Sequence, residues 1–531
     1  MSILIPVAVL LFLVYILSFY DHFRLMRKFW IYGGKMPGPP AHPIFGNASL
    51  FKNKTTEGLC PLITYIDSLL KCPVDSSVGR AEDCRVNFVE IFVNLANEAR
   101  AKGANLMRTQ VMNRIYVWPL NGKTAATILE SSTEMNKGDD YSFLVPWLGG
   151  GLLMAQGEKW KNHRKMLTPA FHFAKLEGYL DVFNQESKIL IDCIEKAMET
   201  QETIDLFPFF KRCTLDIICG TAMGIKFGAQ LGKNHEYVKA VEGFNKLTVE
   251  YSLNPFLWNK FVYWALGYQK MHDDFLLILK KFTNDAIVER RAAIASGEVE
   301  KETSKRKMNF LDILLSSEES NELTSEDIRK EVDTFLFAGH DTTSTSLSWL
   351  CWNLAHNPDV QENVYKEILT VFGEDPNEDV TSEKINRLEY TERVMKESKK
   401  MFAPVPGVQR KLTKDIVIDG ITIPSEGNIT ISPTVLHCNP YIYEKPEKFD
   451  PDRFLPEECA KRHSYDYIPF SAGLRNCIGQ KFSILNEKVM LVHILKHFRL
   501  EPKLGFYETK PLFEVVAKPS HGIPMKLIRR Y

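Results

Sequence analysis

Residues 470–479 read Phe-Ser-Ala-Gly-Leu-Arg-Asn-Cys-Ile-Gly, and this stretch decides which fold and chemistry we expect. A thiolate that binds a metal needs its charge stabilised by nearby cations and by the N–H groups that begin a helix. Arg475 lies two residues before Cys477, and an apolar run that predicts a helix follows. Gly473 permits a tight turn, and Gly479 lets the backbone approach a flat ligand closely. These features fit a planar iron macrocycle with anionic tails and one axial thiolate.

Two other roles for Cys477 fit the sequence less well. A lone cysteine is usually a buried structural thiol, but such a thiol needs neither the flanking glycines nor the arginine. A zinc site would need a second Cys or His at ligand spacing, and the neighbouring sequence offers none.

The pattern Phe-x-x-Gly-x-Arg-x-Cys-x-Gly resembles the heme-binding signature of the cytochrome P450 monooxygenases. The resemblance implies heme b as the cofactor, with Cys477 as the axial ligand of the iron. It also implies that Phe470, Arg475 and Gly479 contact the heme. The implied fold is mainly α with a small β portion, in a single large domain behind an N-terminal transmembrane helix.

The composition indicates a compact enzyme. Of the 531 residues 45% are hydrophobic, without a repeat or low-complexity stretch. The 66 basic residues balance 66 acidic ones, so the charge gives no indication of nucleic acid as a partner. The ten cysteines lack the close spacings of a disulfide framework, which favours free thiols in a reducing compartment.

The first 22 residues predict a membrane anchor. Residues 3–20 form an uncharged, mostly apolar run, which as a helix would span roughly 27 Å, close to the thickness of the endoplasmic reticulum bilayer. A cleaved signal peptide would have a basic start and a small-residue cleavage site, and this run has neither. Residues 23–40 form a basic, proline-rich spacer whose charges place the following chain in the cytoplasm. We therefore expect an endoplasmic reticulum membrane protein with a cytoplasmic catalytic domain.

Residues 41–531 form the predicted heme domain, and one stretch of it does not fit. Segment 59–86 holds three cysteines around a polar centre, and it resembles nothing expected between the spacer and the first body helix of the family. We interpret it as an insertion. Its origin stays open between a gene-model artefact, such as a retained intron, and a genuine surface loop.

Amphipathic periodicity predicts helices over most of the domain. They cover about 155–170, 175–200, 210–222, 235–250, 270–295, 324–356, 358–371 and 388–402. Residues 416–423 predict a β-hairpin around Asp419 and Gly420. The apolar-poor stretch 296–307 predicts a solvated linker.

The helix predicted over 324–356 carries an acid and an alcohol at its centre. Thr324 begins it as a capping box with Asp327. A charged Asp341 in an apolar helix centre is unfavourable unless it has a partner or a function. The hydroxyl of Thr342 can bond backward along the helix, and Gly339 opens room beside it.

The motif Ala-Gly-x-Asp-Thr-Thr at 338–343 resembles the oxygen-binding motif of the same family. The resemblance implies that Thr342 holds water and that Asp341 relays protons, and it places Gly339 beside the heme. A Gly/Thr packing kink is the alternative. The family-4 branch often has a glutamate in place of Ala338, where it forms an ester with the heme. Alanine has no carboxylate, so we expect noncovalently bound heme apart from the Cys477–iron bond.

Three further residues resemble propionate-binding positions of the family. Trp160 and Arg164 match its Trp-x-x-x-Arg motif, and their i, i+4 spacing places both donors on one helix face. Arg410 resembles another propionate-binding arginine.

A structural motif of the family is altered in this chain. The family's Glu-x-x-Arg reads Glu397-Ser-Lys-Lys400 here, and Arg453 matches the usual later partner. A lysine is a point charge and cannot reproduce the fork of a guanidinium. The change puts folding robustness and heme retention in doubt, and it keeps a noncatalytic, membrane-tethered heme protein open as an alternative.

Segments 139–148, 164–172 and 339–343 resemble the family-4 branch. This implies a hydrophobic substrate and hydroxylation of fatty acids or similar long lipids, often near the chain end. Four apolar residues are candidate substrate contacts, with packing as an equally good role: Phe143, Leu144, Trp147 and Phe337.

The chain has no flavin or dinucleotide motif, so electrons must come from a separate protein. The resemblance implies NADPH-cytochrome P450 reductase as the donor, with cytochrome b5 as a further candidate, and O2 as the second substrate. A heme-thiolate isomerase or dehydratase is the alternative enzyme. It needs no proton relay, and the Asp341–Thr342 pair argues against it.

Overall fold

The computed structural model describes residues 24, 27, 36–39, 79–111, 114–171, 173–297, 308–512 and 514–530. The predicted anchor over 1–22 lies outside the described residues, as do residues 59–78 of the predicted insertion and 298–307 of the predicted linker. Within the described part of the chain, no helix is both long and apolar enough to cross a bilayer.

The described chain is mainly helical. In chain order the helices are α1 (Gly79–Ala101), α2 (Gly122–Leu129), α3 (Val145–Leu148), α4 (Gly157–Leu167), α5 (Phe173–Glu177), α6 (Leu180–Met198), α7 (Phe207–Ile218), α8 (His235–Leu253), α9 (Lys260–Ala265), α10 (Tyr268–Ala295), α11 (Phe310–Glu319), α12 (Ser325–His356), α13 (Pro358–Phe372), α14 (Ser382–Ile385), α15 (Glu389–Met401), α16 (Pro433–His437), α17 (Pro456–Cys459) and α18 (Gln480–His497).

Short strands form three small sheets. The strands are β1 (Leu106–Val111), β2 (Arg114–Pro119), β3 (Ile204–Asp205), β4 (Val408–Lys411), β5 (Ile416–Ile418), β6 (Ile421–Ile423), β7 (Asn428–Ile431), β8 (Phe498–Pro502) and β9 (Pro524–Arg529). The largest sheet has the order β1-β2-β7-β4, in which only the β2–β7 pair is parallel. The second has the order β3-β9-β8, and β5 pairs with β6. The predicted class, mainly α with a small β portion, is confirmed.

Each of the eight predicted helical stretches contains a helix, and the one over 175–200 is divided into α5 and α6. The predicted capping box at the start of α12 is present, with Thr324 and Asp327 bonding each other's backbone N–H groups. The hairpin over 416–423 is confirmed, and its turn residues Asp419 and Gly420 have φ values of 52° and 75°. Positive φ at both positions is what a two-residue turn between twisted strands requires.

Helix α12 is the centre of the core. It packs against α7, α15 and α18, and its second half includes the fully buried Trp349 and Trp352. Neighbouring elements cover most of this helix, and each fully buried large apolar side chain contributes about 1.5–3 kcal/mol. This burial fixes α12 in the middle of the domain.

Helix α1 begins at Gly79, inside the segment interpreted as an insertion. Its described side chains begin at Val89. Those that pack on the sheet come later, as Phe92 does by stacking on Trp118 with ring centroids 4.4 Å apart. The insertion over 59–86 stays a prediction.

Candidate functional site

The loop that carries Cys477 is a tight turn ending at a helix. Cys477 N donates to Phe470 O at 3.0 Å, which closes the loop. Gly473 has φ +70°, and a Cβ there would lie 1.8 Å from Leu129 O, so only glycine fits. The loop ends at Gly479, the N-cap of α18. The predicted position of the cysteine, directly before a helix, is confirmed.

The Cys477 thiol is accessible although protein surrounds it. Its side chain has accessible surface, yet burial raises the pKa of the Cys477 thiol, and the Gly479 N–H and the Arg164 charge only partly oppose this. A group that is accessible and also surrounded by protein lies in a concave part of the protein. A Cβ built at Gly479 would meet no atom within 4 Å, so open space borders the glycine as well.

Four cations gather near this loop: Arg164, Arg410, Arg475 and Lys137. Arg475 donates to Met135 O and Ala155 O, each at 2.7 Å, and its guanidinium lies 5.0 Å from the centroid of the Trp160 ring. Arg410 donates to Gln409 O at 3.0 Å. These contacts use carbonyl oxygens and a ring, so among the described residues the two positive charges have no counter-ion.

The fourth cation is Lys137, which the sequence did not indicate. An antiparallel backbone bridge places Lys137 opposite Arg410, and its ammonium lies 4.4 Å from the centroid of the Tyr141 ring. Burial lowers the pKa of Lys137 well below its usual value, and the charges of Arg410 and Arg475 lower it further. Burial, together with the charges of Arg410 and Arg164, likewise lowers the pKa of Arg475 to about 10.

The cation group fits a ligand with anionic tails. Within the described residues no carboxylate contributes to the pKa shifts of Lys137, Arg164, Arg410 or Arg475. Buried charges are unfavourable without a counter-charge. The heme that the sequence predicts has two propionates, and its iron accepts a thiolate, so the donor set matches both ends of such a group.

Helix α4 connects the cation group to the cysteine loop. Arg164 donates to Asn476 O at 2.8 Å and to Asn476 Oδ1 at 2.7 Å. Trp160 lies one turn earlier on the same helix and is buried. The structure therefore brings Trp160, Arg164 and Arg475 together, as the sequence predicted. It also shows that Arg164 holds the residue next to Cys477.

One face of α12 is open although the helix around it is buried. Ala338 is exposed, and Gly339 and Thr342 are half-buried. Thr342 Oγ1 donates to Ala338 O at 2.7 Å, the backward bond that the sequence predicted. Thr343 Oγ1 lies 3.2 Å from Ser483 Oγ on the first turn of α18. The open face and the cysteine loop are thus on elements in direct contact.

Gly339 has a packing reason for lacking a side chain. A Cβ there would lie 2.8 Å from Ile218 Cδ1 on α7. The glycine therefore lets α12 and α7 approach closely. Its predicted contact with the heme stays a prediction.

Asp341 is buried and turned toward α7 and α8. Its Oδ1 lies 3.6 Å from Lys211 Nζ, and Asn245 Nδ2 donates to its Oδ2 at 3.3 Å. Burial favours a raised pKa for Asp341, but the positive charge of Lys211, followed by that of His340, outweighs burial and leaves the pKa lowered. The sequence placed this acid correctly but gave no indication of Lys211, because the contact joins different helices.

The altered structural motif forms an incomplete set of bonds. Lys400 Nζ donates to Glu397 Oε1 at 2.9 Å and to Pro446 O at 2.7 Å, and Asp450 N donates to the same carboxylate oxygen at 3.1 Å. Arg453 Nε is 3.5 Å from Glu397 Oε1. Among the described residues neither Arg453 Nε nor Glu397 Oε2 has a hydrogen-bond partner.

The four candidate substrate contacts are all buried. The rings of Trp147 and Phe337 have centroids 5.1 Å apart, and Phe337 directly precedes the open face of α12. Phe143 packs against Phe244 and Tyr251 of α8, with centroids 5.8 and 4.5 Å apart. Trp147 also packs against Phe244, so Phe143, Trp147 and Phe337 belong to one aromatic cluster beside the open face. This arrangement is compatible with both predicted roles.

A family model and several known proteins are similar to this chain, and all of them carry the same family name. The Cytochrome P450 family model matches residues 86–526. The chain is 36% identical over 490 residues to Cytochrome P450 4c3 of Drosophila melanogaster, covering 88% of this chain and 90% of the relative. It is 40% identical over 419 residues to human Cytochrome P450 4V2, covering 77% and 79%. It is 33% identical over 510 residues to Cytochrome P450 4d2 of Drosophila melanogaster, covering 93% and 94%.

Proposed function

Because this chain belongs to the cytochrome P450 family, whose members bind heme b through a cysteine–iron bond, we propose that Cys477 is that cysteine and that the protein hydroxylates long-chain lipids. The family implies an oxidoreductase of the monooxygenase type. When bound, the heme supplies oxygen activation. The protein's own residues then hold the heme, exclude water and deliver protons.

The observation that carries the proposal is the combination of an accessible thiol with a group of buried and half-buried cations to which no described carboxylate is paired. Cys477 would bind the iron from the start of α18, and Arg475, Arg410 and Lys137 would neutralise the propionates. Trp160 adds a further N–H donor beside Arg475. Each of these side chains has a use in holding heme and no equally good use without an anion.

The axial ligand can be tested by spectroscopy. Reduced protein with carbon monoxide should show the red-shifted Soret band of a thiolate-ligated heme, and Cys477→Ser should abolish it. Cys459→Ser is a matched control, because Cys459 is an exposed free thiol on α17. An unchanged spectrum in Cys477→Ser would refute the assignment, as would equal loss in the control.

Proton delivery is assigned to the acid and alcohol of α12. Thr342 lies on the open face and can hold a water molecule, and Asp341 can take up and release a proton at its carboxylate. An isomerase or dehydratase would need neither group. We therefore favour oxygen insertion over these alternatives.

A lipid substrate is supported by resemblance to the family-4 branch and by the aromatic cluster beside the open face. A panel of fatty acids and other long-chain lipids, with purified protein and reductase, should yield hydroxylated products. If smaller polar compounds are oxidised and no lipid is, the substrate class is wrong.

Membrane attachment is supported by α9 as well as by the predicted anchor. Phe261, Trp264 and Leu266 are 70%, 65% and 55% exposed, and Lys260 at the start of α9 carries a charge suited to the headgroup region. In vesicles of brominated phospholipid the full chain should show quenched tryptophan fluorescence, and Trp264→Phe should remove part of the quenched signal. Quenching that is unchanged in this variant would contradict membrane contact by α9.

The electron-donating protein is proposed to bind a surface beside the cysteine loop. Lysines at 161 and 165 on α4 and at 481 on α18 are exposed, as is Leu474 of the cysteine loop. Helix α4 contacts this loop through Arg164 and Asn476, and α18 follows the loop directly. Such a basic surface suits an acidic redox protein. Lys165→Glu with Lys481→Glu should raise the KM for NADPH-cytochrome P450 reductase without changing heme content. Lys270→Glu, on the exposed side of α10, is the control.

A further inference from the structure

Asp333 is a buried acid on α12 for which the proposed mechanism has no use. Its side chain has no exposed surface. Thr283 Oγ1 on α10 donates to Asp333 Oδ1 at 2.5 Å, and Arg329 Nη1 donates to Asp333 Oδ2. Arg329 also bonds both carboxylate oxygens of Glu326, at 2.7 and 2.8 Å. One guanidinium thus serves two carboxylates, so its single positive charge does not balance both of them.

Helix α3 packs directly on this part of α12. Leu152 N, just after α3, donates to Glu331 Oε2 at 2.9 Å. A Cβ built at Gly151 would lie 2.3 Å from Thr334 Oγ1, so only a residue without a side chain allows so close an approach. The segment that ends α3 therefore contacts α12 on either side of Asp333.

Trp147 of α3 lies beside this acid. Its indole N–H is close enough to lower the pKa of the Asp333 carboxyl. The same N–H makes no hydrogen bond of standard geometry to any residue that the structure describes, so it is available to the carboxylate. The Trp147 ring packs against Phe244 of α8 and Phe337 of α12, with centroids 5.1 Å apart in both pairs. Asp333 is therefore placed to orient the polar edge of a ring whose remaining surface belongs to the aromatic cluster.

The ionisation of Asp333 is balanced near neutral pH. Burial raises the pKa of Asp333 to about 7, although the hydrogen bond from Thr283 and then the charge of Arg329 oppose this. The other titratable groups around the Asp333–Arg329 pair come from α12, α10 and α8, whereas α3 contributes the uncharged Trp147: Glu326, Lys280 and Tyr237. A carboxylate accepts a stronger hydrogen bond than a neutral carboxyl group does. Its bond to an N–H therefore strengthens as the pH rises through 7.

We propose that Asp333 is a positioning residue that orients the ring of Trp147 and thereby selects the carbon of the lipid that is hydroxylated. This inference rests on the proposed function. Trp147 contacts Phe337, and Phe337 directly precedes the open face of α12 at Ala338. A lipid chain that binds beside these rings takes its position from them, and a shift by one methylene exchanges one C–H bond for the next. A fixed ring therefore favours one product, whereas a loosened ring permits several.

The first test is the distribution of products from dodecanoic acid, with purified holoprotein, reductase and NADPH. Asp333→Asn keeps the size of the side chain and an acceptor oxygen but cannot ionise. At pH 8 it should lower the ratio of the main hydroxylated position to its neighbours roughly fivefold. Trp147→Phe keeps a ring without the N–H and should lower the ratio to the same extent, and the double variant should lower it no further. Asp285→Asn, exposed on α10, is the control and should keep the wild-type ratio.

The dependence on pH separates positioning from a structural role. In wild type the product ratio should rise as the pH increases from 6 to 8, because Asp333 becomes ionised. In Asp333→Asn and in Trp147→Phe the ratio should be the same at both pH values. A merely structural acid would change the stability or the total yield and leave the product ratio constant with pH.

A readout without substrate tests the contact itself. Ultraviolet resonance Raman difference spectra, wild type minus Trp147→Phe, isolate the indole N–H band of Trp147 from those of the other tryptophans. This band should shift with a midpoint near pH 7 in wild type. The corresponding difference between Asp333→Asn and the double variant should show a band that does not change with pH.

Thr283→Val keeps the inference testable if Asp333→Asn fails to fold. Loss of the Thr283 hydrogen bond should raise the pKa of Asp333, so the midpoints of the Raman shift and of the product ratio should both move to higher pH. The inference is overturned if the band does not titrate, if Asp333→Asn keeps the wild-type product ratio, or if the effects of Asp333→Asn and Trp147→Phe add. A band that titrates in a protein that hydroxylates no lipid would instead refute the proposed substrate class.

Discussion

Lys400→Arg should stabilise this protein, because the site of Lys400 is short of donors. Lys400 bonds one oxygen of Glu397 and the carbonyl of Pro446. The second oxygen of the buried carboxylate has no partner among the described residues. A guanidinium could bond both carboxylate oxygens in a bidentate fork and still reach the carbonyl. Hydrogen bonds to charged groups contribute about 1.5–3 kcal/mol each, so one added bond is a large fraction of a typical stability.

The gain should depend on pH. Burial raises the pKa of Glu397 to about 7, although Lys400 opposes this. Because that value is above the unfolded pKa of about 4.3, the contribution of Glu397 to stability is fully present below pH 4.3. It is lost as the pH rises through 7. A guanidinium would lower the folded pKa, so the advantage of Lys400→Arg should be larger at pH 7.5 than at pH 5.

The assay is urea unfolding of the holoprotein at both pH values, with the rate of heme transfer to apomyoglobin as a second measure. Lys396→Arg is the control, since Lys396 lies on the same helix in a half-exposed pair with Glu392. Overpacking by the larger side chain would oppose the gain by about 1–3 kcal/mol. A destabilised Lys400→Arg, or a gain that is equal at the two pH values, would refute the reasoning and mark lysine as the adapted residue.

Four further outcomes are expected. Thr342→Ala should keep heme and substrate binding and divert electrons to hydrogen peroxide; an unchanged product yield per NADPH would make Thr342 a packing residue. Lys137→Met should speed heme transfer to apomyoglobin, Lys137→Arg should restore the slow rate, and equal rates in all three proteins would contradict a propionate contact. Gly473→Ala should disrupt folding, because its Cβ would lie 1.8 Å from a carbonyl oxygen. Gly479→Ala should leave the melting temperature of the apoprotein unchanged and reduce the heme content. Similar behaviour of the two variants would contradict the geometry. Acid–organic extraction should release all heme because Ala338 has no carboxylate, and heme left on the denatured chain would demand another attachment.

The features that the sequence predicts correctly are those whose determining interactions are local. The capping box of α12, the backward bond of Thr342 and the turn at Asp419 depend on residues a few positions apart. Helix periodicity located the elements for the same reason. The position of Cys477 before α18 followed from the apolar run directly after it.

The unpredicted parts of the site depend on contacts between distant segments. Lys137 joins the cation group only because a backbone bridge places it opposite Arg410. Lys211 meets Asp341 only because α7 packs on α12. The packing reason for Gly339 arises from the same contact of helices, through Ile218. No pattern along the chain encodes these pairings, so they required the fold.

The missing hydrogen bonds around Lys400 should affect heme retention more than proton delivery. The segment before the cysteine loop is held by the same helix, since Tyr467 Oη donates to Lys396 O at 3.0 Å on α15. Ile468 N donates to His437 Nε2 at 3.0 Å on α16, two residues before the loop begins. A loosened α15 would therefore displace the loop that carries Cys477. The polar contacts of Asp341 and Thr342, in contrast, involve α7, α8 and α12 itself. Weak contacts around Lys400 therefore predict an enzyme that loses heme readily. The protein that still holds heme should turn over normally. This favours an active enzyme over a noncatalytic heme protein, because the departure from the family pattern falls outside the proposed proton-delivery residues.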